Sequence, residues 1–312
     1  MALACYEGIR QAFPKSHIVC WRPAGLGGVV PSGLFNEEWE FQKSDLKERR
    51  KISGWIKKIK ESDFDLSINL NASWSSALLF FRARIPCRVG FSESGSQVLL
   101  SASKRFEGVK SGFHKSKIYL GLLSLLNTRG VSPSVQSLEV PKTSNKDSFW
   151  VIAPGAALPL REWPYFPELI FEIKKRYPNQ KLKVVGTKME SAWKARLTRW
   201  KLDQVEDLIG STSLPELKEL CSKASLVIAN DSGVAHLSAT LAGAPTIVLF
   251  GPGNPAYIAP QGPQVSPVRL ESGIHCSPCE KPYCSAPEGY QKCLKEIPVE
   301  SVLKRIQTVL SL

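Results

Sequence analysis

The sequence predicts an α/β protein of two domains with parallel sheets, and three observations carry that expectation. From residue 149 onward, short apolar runs alternate with helical segments, the pattern of strands joined by crossover helices. One of those strands, LVIAN, runs straight into Asp231, Ser232 and Gly233 and then into a helix, as strands do at phosphate-binding turns. The chain is 312 residues long with 43% apolar residues, enough for two cores rather than one.

The first domain is expected over residues 1–145. Residues 2–13 read as a short helix closed by Pro14, and HIVCW as a strand after it. Gly25, Gly27, Gly28, Pro31 and Gly33 mark a loop. Between Ser44 and Asp63 the residues Ile52, Trp55, Ile56 and Ile59 recur at helical spacing. Lys47, Arg49, Arg50, Lys51, Lys57, Lys58 and Lys60 surround them, so this helix is amphipathic with a basic face. A strand DLSINL, a helix over residues 73–83, a strand CRVGF and a helix around residues 113–127 complete a βαβ-type half. Residues 129–148, with Gly130, Pro133, Pro141 and a polar TSNKD run, read as the linker.

The second domain is expected over residues 146–312. It runs strand FWVIAP, helix PYFPELIFEIKKRYP, strand KLKVVG, helix ESAWKARLTRW, strand DLIG, helix LPELKELCSKA, strand LVIAN, helix GVAHLSATLAG and strand TIVLFG. Alternation at this spacing implies a parallel sheet covered on both faces. A last amphipathic helix, PVESVLKRIQTVL, presents Val302, Ile306 and Val309 or Leu310.

The formal net charge is +13, and residues 1–145 hold 21 basic against 12 acidic side chains. A basic first half raises the local concentration of polyanions: nucleic acid, a phosphorylated glycolipid or an acidic bilayer surface. Nucleic acid is the least supported, because no aromatic RNA-binding motif, GXXG clamp or zinc-finger spacing is present. No run reaches the roughly 20 apolar residues of a spanning helix, and MALACYEGIRQAF has no signal-peptide pattern; a cytoplasmic protein is expected. Cys5, Cys20, Cys87 and Cys221 are scattered and read as buried thiols. Cys276, Cys279, Cys284 and Cys293 follow C-x2-C-x4-C-x8-C, which suits either a structural zinc or plain thiols in a proline-rich loop.

Ligands of an open parallel sheet sit beyond the carboxyl ends of its strands. Three such loops are chemically unusual: residues 154–163, 186–190 and 230–236. In the last, Asp231 or Ser232 is expected to cap the following helix, leaving its N–H groups and positive dipole end toward an anion. Gly233 lets a diphosphate approach the backbone, and His236 in the first turn leans toward the same mouth.

At this point the sequence resembles glycosyltransferase family nine, the ADP-heptose:lipopolysaccharide heptosyltransferases. The resemblance spans nearly the whole chain, through APGAALPLREWP, LIGSTSLPEL, NDSGVAHLSATLAGAPTIVLFGP and CSPCEKPYCSAPEGYQKC, with weaker matches at IRQAFPKSHI and FDLSINLNASWSSALL. It implies the GT-B architecture of two Rossmann-like domains, with the last helix either closing its own domain or packing back on the first. It implies donor contacts at Asp231, Ser232, Gly233 and His236, a turn beside the phosphates at Gly155 and Ala156, and an adenosine side near Glu190 and Thr212. Arg161 stands where the family usually has Lys and, with His236, is expected to stabilise the leaving diphosphate.

The reaction so implied is displacement at the anomeric carbon of ADP-heptose by a hydroxyl of a phosphorylated lipopolysaccharide core, with inversion, at the inner face of the cytoplasmic membrane. Positive groups stabilise the departing ADP, so no metal is obligatory, and a Mg2+ contribution stays open. A base must take the acceptor proton. The family supplies it as Asp in a Leu-Gly-Asp loop before the helix that here begins near Ala2, and no match to that loop is found. Either a first strand and its loop lie upstream, or the first domain is rearranged and the protein binds nucleotide sugars without transferring them. Asp63, Asp65, Glu93 and His114 are the alternative candidates for base, unranked. A related transferase with another nucleotide-sugar donor is the remaining alternative.

Overall fold

The computed structural model describes residues 2–93, 95–126, 147–199, 205–287 and 289–311. The chain divides into two compact units, Met1–Gln136 and Ser137–Leu312. The expected linker and the boundary near residue 145 fall largely outside the described residues.

In the first unit the elements are α1 (Leu3–Ala12), β1 (Val19–Pro23), β2 (Glu37–Phe41), α2 (Arg49–Glu61), β3 (Leu66–Asn69), α3 (Trp74–Arg82), β4 (Cys87–Ser92), β5 (Ala102–Arg105) and α4 (Lys115–Leu120). All the pairings are parallel, but they form two sheets, β1-β2 and β3-β4-β5. Strands β2 and β5 were not expected from the sequence. EEWEF looks too acidic for a strand, yet period-two alternation sends Trp39 and Phe41 into an aromatic cluster while Arg22 of β1 bridges Glu38 at 2.5 Å and Glu40 at 3.1 Å. Trp21 meets Phe41 and Trp55 with ring centres 4.4 and 5.5 Å apart. That cluster receives the apolar stripe of α2, in which Ile59 is buried and Trp55 and Ile56 are half-buried. The basic face of α2 points outward as expected. Part of it is already engaged: Lys51 with Asp45 at 3.0 Å, Lys57 with Glu61 at 3.7 Å, and Lys58 over the Trp39 ring at 3.9 Å.

The second unit contains β6 (Asp147–Ala153), α5 (Phe166–Arg176), β7 (Lys181–Gly186), α6 (Ala192–Arg199), β8 (Val205–Ile209), α7 (Leu214–Lys223), β9 (Ala224–Asn230), α8 (Gly233–His236), β10 (Thr246–Leu249), α9 (Pro255–Ile258), β11 (Val265–Val268), α10 (Lys292–Lys295) and α11 (Val299–Leu310). Its six strands form one parallel sheet in the order β11-β10-β9-β6-β7-β8. The chain leaves β6 toward β7 and β8, then returns to build β9, β10 and β11 on the other side. The strand order therefore reverses between β6 and β9, and that point positions the site. β6 and β9 are apolar along most of their length because both faces are covered: Val151, Ile152, Val227 and Ile228 are fully buried.

Within the second unit, the last helix packs against the core. Val302, Leu303, Ile306 and Val309 lie in the second unit's core, and Glu300 pairs with Arg176 of α5 at 2.8 Å. Each such side chain gains about 1.5–3 kcal/mol from burial, which fixes where α11 docks. Among the described residues no helix is long and apolar enough to cross a membrane.

Candidate functional site

The loops that follow β6 and β9 meet at the switch point, and Asn230 joins them. Its fully buried amide accepts from Trp163 N at 3.0 Å and donates to Pro154 O at 2.6 Å. One side chain therefore clamps both ends of the loop that carries Gly155, Ala156 and Arg161. Trp163 secures the same loop by donating from its indole to Ile297 O at 3.1 Å.

Arg161 ends a short turn over Pro159–Arg161. Its Nη1 lies 2.8 Å from Asp231 Oδ2, and its Nη2 lies 3.9 Å from a Glu280 carboxylate oxygen. Asp231 is 5% exposed. Burial pushes its carboxyl up to about 6, with Arg161 opposing that shift and Glu280 adding to it. A Cβ on Gly253 would stand 2.4 Å from Asp231 Oδ2, so glycine there is what lets the carboxylate occupy its place.

This overturns the expected cap. Ser232 is the residue before α8, but neither it nor Asp231 caps the helix through its side chain; Asp231 is committed to Arg161 instead. The α8 helix is one turn long and passes into a π-helical turn over Leu237–Leu241, a form enriched at functional sites. His236 is half-buried in that first turn, and its backbone N donates to Ser232 O at 3.4 Å. Gly233 is exposed with open space where a Cβ would be, so packing does not demand glycine there.

Beside β6 and β7, Glu190 closes a capping box with Thr187, whose N donates to Glu190 Oε2 at 2.5 Å. A Cβ on Gly155 would lie 2.0 Å from Glu190 Oε1, and one on Gly186 would lie 2.6 Å from Oε2. The two glycines thus make room for the carboxylate and bring Glu190 to the Gly155–Ala156 turn. Sequence reasoning missed Glu162, whose Oε1 accepts from Ala156 N at 3.3 Å. Burial first, and then the nearby Glu190 charge, raise its pKa. Thr212 is half-buried beyond the end of β8, two strands from β6.

The alternative base candidates separate by position. Asp63 and Asp65 precede β3, at the amino end of the sheet, which is the wrong end for a ligand of a parallel sheet. His114 caps α4 by accepting from Ser116 N at 3.3 Å. Glu93 follows β4 and is exposed at the carboxyl end.

The structure gathers Cys276, Cys279, Cys284 and Cys293 into one neighbourhood. The Cys293 thiol is pushed up to about 11 by burial and then by the other three thiols. All four are free, and among the described residues no group of three or more His, Cys, Asp and Glu is placed to hold a metal ion. The segment they occupy also brings Glu280 and Gln291 to the Arg161 turn, which the sequence did not announce; their signal was their place between cysteines already of interest.

An open parallel sheet with a charged pair and two glycine-bearing loops at its switch point is the architecture of Rossmann-like nucleotide-binding domains. Residues 52–289 match the model of glycosyltransferase family 9 (heptosyltransferase), and the chain belongs to that family. It is 23% identical to lipopolysaccharide heptosyltransferase 2 of Salmonella typhimurium across 100% of this chain and 94% of that relative. Its fold is similar to that of E. coli ADP-heptose lps heptosyltransferase II, with a TM-score of 0.76 at 22% identity over 99% of this chain and 94% of that one. A family 9 glycosyl transferase from Veillonella parvula is similarly close, with a TM-score of 0.77 at 20% identity over 99% and 92%.

Proposed function

We propose that the protein transfers heptose from ADP-heptose to the phosphorylated inner core of lipopolysaccharide, with inversion, at the inner face of the cytoplasmic membrane. The observation that carries this reading is the Arg161–Asp231 pair, 2.8 Å apart at the switch point, with His236 one turn into the adjoining helix. Arg161 would meet the diphosphate and stabilise the charge that builds on departing ADP, aided by His236. With the Arg161 guanidinium and the His236 ring serving the leaving group, no metal is required in this reading. Strands are about 4.8 Å apart, so a ligand reaching from β6 to Thr212 beyond β8 spans roughly 10 Å, a length suited to a nucleoside, with Glu190 midway. The names of the similar relatives support both donor and acceptor, and the outward basic face of α2 supports attraction to a phosphorylated acceptor and the anionic lipid around it.

The test is incubation of the purified protein with ADP-heptose and a heptose-deficient lipopolysaccharide, following ADP release and acceptor mass. One heptose gained per ADP released is the expected result. Donor binding without transfer supports instead a nucleotide-sugar-binding homologue, and transfer only from another nucleotide sugar reassigns the donor. Binding of neither ADP-heptose nor any other nucleotide sugar overturns all three readings.

A further inference from the structure

Among the described residues, four that are not glycine have φ in the left-handed region: Asp63, Arg84, Glu280 and Gln291. Asp63 and Arg84 are exposed and lie just past the ends of α2 and α3, where such a conformation is ordinary. Gln291 differs in every respect. It is 6% exposed, has φ +60°, precedes α10 and makes no side-chain cap for it. A disfavoured backbone conformation persists where the surroundings over-determine it, and such positions concentrate at functional sites.

The Gln291 side chain is spent elsewhere. Its Nε2 donates toward Pro159 O at 3.1 Å, Leu160 O at 3.1 Å and Glu162 O at 2.7 Å. These carbonyls bracket Arg161, which contributes no carbonyl to the set. One buried amide therefore holds the backbone on both sides of the residue that pairs with Asp231. Its own backbone is held in turn, because Gln291 N donates to the Cys284 thiol at 3.3 Å. Two residues on, Cys293 packs against Gly251, where a Cβ would meet its sulfur at 3.2 Å. The cysteine-bearing segment thus anchors Gln291 on one side and Gln291 anchors the Arg161 turn on the other.

We propose that Gln291 is a positioning residue for Arg161, holding the Pro159–Arg161 turn so that the guanidinium stands against Asp231. The consequence for ligand affinity rests on the reading of that pair as a diphosphate site. Two measurements keep the two claims apart. In the ligand-free protein, phenylglyoxal modification of Arg161, followed by peptide mass spectrometry, is expected to be severalfold faster in Gln291→Ala, with other arginines unchanged. In titrations with ADP, Gln291→Ala is expected to weaken binding about tenfold, with no further loss when added to Arg161→Ala, since it acts through that side chain.

Gln291→Gly guards against a trivial effect on folding. It lacks the amide but relieves the left-handed φ, so it should melt higher than Gln291→Ala while losing ADP affinity equally. Affinity that tracks melting temperature across the two variants overturns the proposal, as does unchanged Arg161 labelling in both. Faster labelling in a protein whose wild type does not bind ADP supports the positioning role and overturns the donor reading instead.

Discussion

Asp231 is held largely out of water, against the Arg161 guanidinium. Its folded pKa, about 6, lies above the ordinary 3.8. The protonated form is therefore the one folding favours: that stability is fully present below 3.8 and is lost as pH rises through 6. The shift corresponds to about 3 kcal/mol. Asp231→Asn removes the penalty, so its melting temperature relative to wild type is expected to rise between pH 4 and pH 7, while its donor affinity falls. A constant difference across that range, checked by thermal melts at several pH values, would contradict the burial argument. The sequence singled out Asp231 as a candidate but misread its local contact. A carboxylate ahead of a helix reads as a cap from local spacing, and only a partner 70 positions earlier in the chain shows otherwise.

At the scale of elements, the site is a pair of loops held by long-range hydrogen bonds. Asn230 reaches Trp163 and Pro154, and Gln291 reaches the turn at Pro159. The strand and helix pattern of the second unit was readable because each element carries its own periodicity. β2 was not, because its Glu-rich face is stabilised by Arg22 of another strand. Gly155 and Glu190 were both named as candidates from the sequence, yet nothing local tied them together. Gly155→Ala places a methyl 2.0 Å from Glu190 Oε1, and overpacking of that kind costs about 1–3 kcal/mol. The Gly155→Ala, Glu190→Ala double variant is expected to recover part of that loss in denaturant melts. Purely additive destabilisation would mean the carboxylate does not fill the space the glycine leaves.

For the whole molecule, charge and chemistry divide between the units. The first unit carries the outward basic face of α2, and the second carries the switch-point pair. Replacing Arg49, Arg50 and Lys60, all exposed, by Glu reverses three of the charges on that face while leaving the Ile52, Trp55, Ile56 and Ile59 stripe intact. The triple variant is expected to sediment less with anionic vesicles than wild type at about 0.1 M salt, with the difference shrinking as salt rises. The same variant should bind soluble donor normally. The central claim, that the switch-point pair holds the donor diphosphate, is tested most directly by calorimetric titration of ADP-heptose into wild type and Arg161→Ala. Wild type is expected to bind, and the variant to bind on the order of 100-fold more weakly. Equal affinity in the two proteins, or no binding by wild type, would contradict it.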